Sequence, residues 1–287
     1  LGRVDAVVEQ VRGVPSPAVR PYVERYDGFR LDGLAPAVHR GLPSRYLTLI
    51  FSLGDPLDMV GMPDPRQSPG RYPTLLGGLH AAPARIGHDG RQFGIQLRVK
   101  SFGARTLFGL PAAALAGTCV EAVDVLGPRT REVVDRLHAA ADWPSRFAVL
   151  DDVLAALAAR RVAGASAKEP RAEVAHAWRR LVGTDGALDV GALANEVGWS
   201  RRHFGERFRD EFGLSPKVVA RILRFERARR LIREAPTNLA AVAAASGYYD
   251  QAHMVRDWHD LAGCSPSLWI AEELPFVQDD QPPAGAG

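Results

Sequence analysis

Two stretches of the sequence lie fifty residues apart and align without a gap: Ser200–Pro216 and Asp250–Pro266. His203/His253, Asp210/Asp260, Gly213/Gly263, Ser215/Ser265 and Pro216/Pro266 are identical, and Phe204/Met254 and Phe208/Trp258 stay apolar. In the first copy Phe204, Phe208 and Phe212 step by four, so they share one helical face. Arg202, Gly205, Glu206 and Arg209 then point the other way, with Arg201 at the N-terminus. In the second copy Met254, Trp258 and Leu261 face inward, and Ala252, Val255, Arg256 and His259 face outward behind Gln251. These outward types have a shared chemistry. Arg can donate to guanine O6 and N7, Gln can pair with adenine N6 and N7, and a carboxylate can accept from cytosine N4. A helix N-terminus attracts phosphate. Two readings of Arg202 and Glu206 stay open, because residues four apart also form surface ion pairs. His203 reads as packing beside a turn, whereas for His253 packing, a base contact and a phosphate contact stand level.

Each copy needs elements that hold this face outward. A short apolar helix comes first, Val190–Val197 or Leu239–Ala245, and a glycine follows, Gly198 or Gly247, able to end it in the left-handed conformation. Ser200 or Asp250 then caps the next helix, which stops at Gly213 or Gly263 before Ser-Pro. Helix, tight turn and capped helix make a helix-turn-helix, and two at fixed spacing make a strong signal. Between them, Val218, Ile222, Phe225, Ala228 and Ile232 predict one long helix over Lys217–Glu234. It would hold two reading helices near the ~34 Å that separates successive major grooves on one DNA face. Arg221, Arg224, Arg227 and Arg230 line another side of it, as a solvated face or as a phosphate track.

With these residues in place, Glu173–Glu273 resembles the DNA-binding domain of the AraC/XylS family of bacterial transcription regulators. The match runs through Leu193-Ala194, Gly198, Ser200, His203-Phe204, Phe208 and Phe212-Gly213-Leu214-Ser215-Pro216. It continues through Arg224, Arg227-Ala228-Arg229-Arg230-Leu231, Val242-Ala243, Ser246-Gly247-Tyr248, Gln251, His253-Met254, Trp258, Gly263 and Ser265-Pro266. The resemblance implies two recognition helices in successive major grooves of double-stranded DNA. The base-contacting candidates it implies are Arg201, Arg202, Gly205 and Glu206, then Gln251, Ala252, His253 and Arg256. Ser200, Asp250 and Arg209 complete the expected DNA-binding set. Gly205 has no side chain to read a base, Glu206 is acidic where the family often is not, and Trp258 replaces the usual Phe. RNA polymerase is the further partner implied. The N-terminal part is similar, more loosely, to the cupin-like sensor domain of such regulators, which binds a small effector, mediates dimerisation, or both. No His-x-His run occurs, so the metal site of true cupins is not expected.

The remaining sequence fits a two-domain α+β protein. At 287 residues there is room for about two domains. The apolar share of 46% and charged share of 24% are those of globular chains. In Arg45–Leu53 and Gln92–Val99 apolar residues alternate with others, which predicts half-buried strands of an antiparallel sheet or small, cupin-like barrel. Gly54-Asp55-Pro56 reads as a turn and His88-Asp89-Gly90 as a hairpin. From Thr130 the period becomes helical: Val133, Val134 and Leu137 mark one helix, and Phe147, Leu150, Leu154 and Leu157 a second opened by Pro144. The expected organisation is a β-rich sensor or dimerisation domain over 1–162, a linker over 163–170, the double helix-turn-helix over 171–274 and a disordered tail over 275–287.

Several function classes drop out. No apolar run is long enough to span a membrane, and no secretory segment opens the chain, which starts at Leu1 as a trimmed product would. The only cysteines, Cys119 and Cys264, give no disulfide framework and read as buried thiols, suited to a reducing cytoplasm. His39, His80 and His88 are too scattered to suggest a ligand set, and no hydrolase elbow, phosphate loop or zinc-protease motif is present. An enzyme and a cofactor are therefore not expected. Net charge is only +3, and 33 of the 36 bases are Arg, but residues 199–233 concentrate 11 bases against 4 acids. The sequence predicts a cytoplasmic DNA-binding regulator, with a small effector or homodimerisation acting through the first domain. Two alternatives for that domain are a ligand-independent interaction module and a site that chemically alters a small molecule.

Overall fold

The computed structural model describes residues 6–164, 169–234 and 238–273. The N-terminal half is two antiparallel sheets. The larger contains β1 (Val7–Gly13), β2 (Val23–Asp32), β9 (Gln92–Lys100), β4 (Tyr46–Ser52), β7 (Thr74–Gly77) and β10 (Cys119–Glu121), in that spatial order. The smaller contains β3 (Ala37–Gly41), β8 (Ala84–His88), β5 (Leu57–Gly61) and β6 (Gly70–Tyr72). The two predicted strands are thus β4 and β9, paired antiparallel with Leu49 opposite Leu97.

The hairpin expected at His88-Asp89-Gly90 is not one. β8 pairs with β3 and β5 in the smaller sheet, whereas β9 pairs with β2 and β4 in the larger. The turn carries the chain from one sheet to the other. Gly90 sits at φ 101°, and its carbonyl accepts the Leu34 N–H at 3.2 Å instead of closing a ladder. A glycine turn fits either connection, and local sequence does not name the strand's partner.

The alternation of β4 and β9 has an unexpected sense. Their most apolar faces, Leu47, Leu49 and Phe51 with Ile95, Leu97 and Val99, are buried under helices on the side of the larger sheet away from the smaller one. Those helices are α1 (Gly103–Phe108), α2 (Ala122–Leu126), α3 (Arg129–Ala139) and α4 (Trp143–Ala163). Burying each such side chain contributes about 1.5–3 kcal/mol. The opposite faces, carrying Thr48, Ile50, Gln92, Gln96 and Arg98, turn into the space between the sheets. Helix α4 opens as its sequence predicts, with Pro144 in its first turn and Asp142 accepting the Ser145 N–H at 2.9 Å.

Of the expected linker, Ala163 ends α4, and residues 165–168 lie outside the described residues, as does the expected tail over 275–287. The helical region then runs α5 (Ala172–Gly183), α6 (Val190–Glu196), α7 (Arg201–Phe212), α8 (Pro216–Glu234), α9 (Leu239–Ala245), α10 (Gln251–Ala262) and α11 (Pro266–Glu272). Both helix-turn-helix units are present, α6–α7 and α9–α10, joined by α8. The four turn and end glycines, Gly198, Gly213, Gly247 and Gly263, lie at φ 72°, 74°, 76° and 68°.

The hydrophobic interior does not divide at the linker. Phe204, Phe208, Phe212, Trp178, Val219 and Leu223 join the interior that contains the β4–β9 face. Phe102, between β9 and α1, meets Phe212 edge-on at 5.4 Å and Trp178 at 6.1 Å. The second unit packs separately: Ile222, Phe225 and Ile232 of α8 with Met254, Trp258 and Trp269. Helix α8 therefore serves two interiors with two faces.

Candidate nucleic-acid interface

The caps that the sequence places at the two reading helices are formed. The Ser200 hydroxyl accepts the His203 N–H at 3.2 Å, and the Asp250 carboxylate accepts the His253 N–H at 2.6 Å. Each occupies one of the helix's otherwise free N–H groups. On α7, Phe204, Phe208 and Phe212 are fully buried, while Arg201, Arg202, Glu206 and Arg209 are exposed and Gly205 is half-buried. On α10, Met254 and Trp258 are buried, Gln251, Ala252, Arg256 and His259 are exposed, and Val255 and His253 are half-buried. Both candidate faces point to solvent, and both are backed by aromatic packing.

Local geometry separates the members of these faces. Arg202 donates from Nε to Glu206 at 2.9 Å, with side chains 90% and 52% exposed. The guanidinium holds the Glu206 carboxyl below its ordinary range. A pair this exposed is worth only a few tenths of a kcal/mol, so a base could displace either partner. Arg201 lies back across α6, where a Cβ added to Gly191 would stand 2.5 Å from its Nη2. His203 packs edge-on against Trp199 at 4.9 Å, and His253 against Tyr248 at 5.3 Å. The repeat thus gives both histidines an aromatic neighbour at the turn, and His253 Nε2 also stands 4.0 Å from Asp257.

The arginine stripe of α8 makes contacts that its sequence did not suggest. Arg221 binds Asp257 and Asp260 of α10 at 2.9 and 2.6 Å. Arg224 donates to the Gly186 carbonyl at 3.0 Å and lies over the Tyr248 ring. Arg227 and Arg230 both reach Asp185, at 3.2 and 3.3 Å. In the free protein the stripe braces the helical region, and Arg227 and Arg230 keep 40% and 38% of their side chains exposed. Its partners sit on other elements, so the helical period alone could not reveal them. Asp185 carries a visible mark of its role: among the described residues it is the only non-glycine with positive φ, 47°.

A second feature lies between the sheets. A cavity of about 810 Å3 is lined by apolar residues that include Ile50, Met59 and Leu75, and by polar ones that include His39, Gln92 and Gln96. The helical region contributes Arg229, Arg233, Glu272 and Glu273 to its lining. The fold brings His39 and His88, distant in sequence, to 5.8 Å between ring centres. Burial, with His88 adding to it, pushes the His39 imidazole down to about 4. Among the described residues no three potential ligands cluster to hold a metal. Cys119 and Cys264 are buried, and burial pushes the Cys119 thiol up to about 11.

Comparison with known proteins places these features in context. Residues 193–272 match the model of a helix-turn-helix domain, and residues 12–121 that of a domain of unknown function, DUF6597. The HTH-type transcriptional regulator Rv1931c of Mycobacterium tuberculosis is 36% identical over 84 residues, which is 29% of this chain and 32% of that protein. The chain thus spans about a third of the length of that curated relative. In fold it is similar to ToxT from Vibrio cholerae, with a TM-score of 0.50 at 8% identity, covering 86% of this chain and 97% of that one. The unsaturated fatty acid-bound form of ToxT matches at a TM-score of 0.51 and 10% identity, over 88% and 97% of the two chains. Like ToxT, the chain combines a β-rich N-terminal region with a helical C-terminal region. Among the described residues no helix is long and apolar enough to cross a membrane.

Proposed function

We propose, from the helix-turn-helix domain matched over residues 193–272 and its resemblance to the AraC/XylS type, a sequence-specific, double-stranded-DNA-binding transcription regulator. Helices α7 and α10 enter successive major grooves. The observation that carries this reading is the pairing of two capped helices, each with a buried aromatic face and an exposed polar face. Arg202, Glu206 and Arg209 read from α7, and Gln251, His253 and Arg256 from α10, with Arg201, Gly205 and Ala252 at the contact surface. Ser200 and Asp250 hold the N-termini that approach phosphate. The protein acts in the cytoplasm with RNA polymerase as its partner, and it is a regulator and not an enzyme.

The cavity between the sheets takes a small effector. Strand faces that carry Gln92 and Gln96 into an interior are poorly suited to a solid core, because each polar group there needs a partner. This favours an effector over a ligand-independent module. An apolar lining that includes Ile50, Met59 and Leu75 beside Gln92 and Gln96 suits an amphipathic compound, and ToxT has been seen with an unsaturated fatty acid. Helices α3 and α4 supply the homodimer contact.

Selection of bound DNA from a random pool at physiological salt, using the full chain, tests the reading. Two enriched blocks about one helical turn apart are expected. Arg202→Ala and Arg256→Ala should each then weaken binding to the selected site by about 1–3 kcal/mol, each relaxing one block. An absence of enrichment, with and without amphipathic acids, refutes sequence-specific binding.

A further inference from the structure

Each reading helix buries one carboxylate: Glu211 on α7 and Asp257 on α10, both 5% exposed. They are not equivalent positions of the fifty-residue repeat, and their arginines come from different places. Asp257 is held from within the helical region, by Arg221 of α8. Glu211 is held from the N-terminal half, by Arg105 of α1. Arg105 Nε donates to Glu211 Oε1 at 2.8 Å and Nη2 to Oε2 at 2.6 Å, a two-point contact on a carboxylate only 6% exposed. Such a pair fixes orientation as well as distance.

The surroundings repeat the asymmetry. Phe212, next to Glu211, meets Phe102 of the N-terminal half, and the end of α7 lies against a short 3-10 turn, Ala112–Leu115. A Cβ added at Gly213 would stand 2.1 Å from the Ala116 Cβ. The N-terminal half does touch the second unit: Arg40 pairs with Glu272 and Glu273 at the end of α11, Arg45 with Glu226 of α8 at 2.6 Å, and Pro83 approaches Gly263, the C-cap of α10. The α10 carboxylates themselves answer to α8.

We infer that Arg105 is the positioning residue through which the N-terminal half sets the orientation of α7, while Arg221 of α8 sets that of α10. A change at Arg105 then alters one half of the DNA readout and leaves the other in place. This rests on the proposed reading that α7 and α10 read separate blocks of DNA.

The test compares Arg105→Ala, the milder Glu211→Gln and Arg221→Ala in the full chain. Amide hydrogen exchange in the free protein is the first measurement. Arg105→Ala should speed exchange in the second half of α7 about tenfold and leave α10 unchanged, with Glu211→Gln giving a smaller change of the same pattern. Arg221→Ala should do the reverse. The second measurement is affinity for the selected DNA with either block scrambled. In Arg105→Ala the penalty for scrambling the α7 block should fall about tenfold, and the α10 penalty should hold. Equal loosening of both helices, loosening of neither, or equal loss at both blocks would overturn the inference. If the unaltered chain selects no two-block site, the DNA reading fails, and the exchange pattern still decides whether Arg105 positions α7.

Discussion

A methyl group at Gly213 should cost far more than one at Gly198, although the two glycines share a backbone conformation. Gly198 lies at φ 72° and Gly213 at φ 74°. A side chain in that region costs about 1–2 kcal/mol through its clash with the adjoining carbonyl. At Gly198 nothing lies within 4 Å of the added Cβ, so this is the whole cost of Gly198→Ala. At Gly213 the Cβ would meet the Ala116 Cβ at 2.1 Å and the Ala113 Cα at 3.2 Å. Carbon atoms pack at roughly 3.5–4.0 Å, so α7 or the 3-10 turn must shift by more than an ångström. Overpacking of that kind adds about 1–3 kcal/mol. The total for Gly213→Ala is about 2–5 kcal/mol against about 1–2 for Gly198→Ala. Urea denaturation followed by tryptophan fluorescence measures both, with Trp178 reporting beside Phe212. Adding Ala116→Gly removes the methyl that the new one strikes. The double variant should recover the contact part of the loss and retain the backbone part. Equal losses at Gly213 and Gly198, with no recovery from Ala116→Gly, would refute the close seating of α7 on the N-terminal half.

Three further outcomes follow from the structure. Arg224→Ala should lower stability by about 1–3 kcal/mol, through loss of its bond to Gly186 and its stacking on Tyr248, and leave the salt dependence of DNA binding unchanged; a flatter salt slope would return Arg224 to phosphate. Asp250→Ala should cost about 0.5–2 kcal/mol by freeing the His253 N–H, and Asp250→Asn should recover most of it in the same denaturation assay. Burial holds the His39 imidazole at about 4 in the fold against an ordinary 6.5, so below 6.5 the unfolded chain binds a proton that the native one refuses. The His39 contribution to stability is therefore complete above pH 6.5 and declines as pH falls towards 4. Denaturation midpoints of the parent chain should drop more steeply between pH 7 and 5 than those of His39→Gln, and parallel slopes would contradict the burial.

What the sequence made legible was local. Gly198, Ser200 and Gly213, with their counterparts fifty residues on, each act within one turn of a helix, so their types and spacing were enough to draw both units. The aromatic step of Phe204, Phe208 and Phe212 likewise marked the inner face of α7. Contacts at long range were hidden. Asp185 draws Arg227 and Arg230 of α8 to a different element, and nothing in the helical period pointed to it. The alternation around Gln92 and Gln96 predicted a half-buried strand without saying what lies on either face. In the fold, helices cover the apolar face and the polar one lines the cavity. Alternation reports that the faces differ, and the layer beyond the sheet decides which is which.

The interior shared across the chain has a consequence for how such molecules diversify. An exchange of helical regions between two relatives, joined anywhere in 163–170, would part Phe102 from Phe212 and Trp178, and Arg105 from Glu211. The recipient would have to supply a matching aromatic, a matching arginine and a small residue where Ala116 stands beneath Gly213. Recombination at this junction is therefore penalised unless both pieces come from one lineage. The second unit, whose packing partners lie largely within its own helices, is freer to change what it recognises while the first stays tied to its N-terminal half.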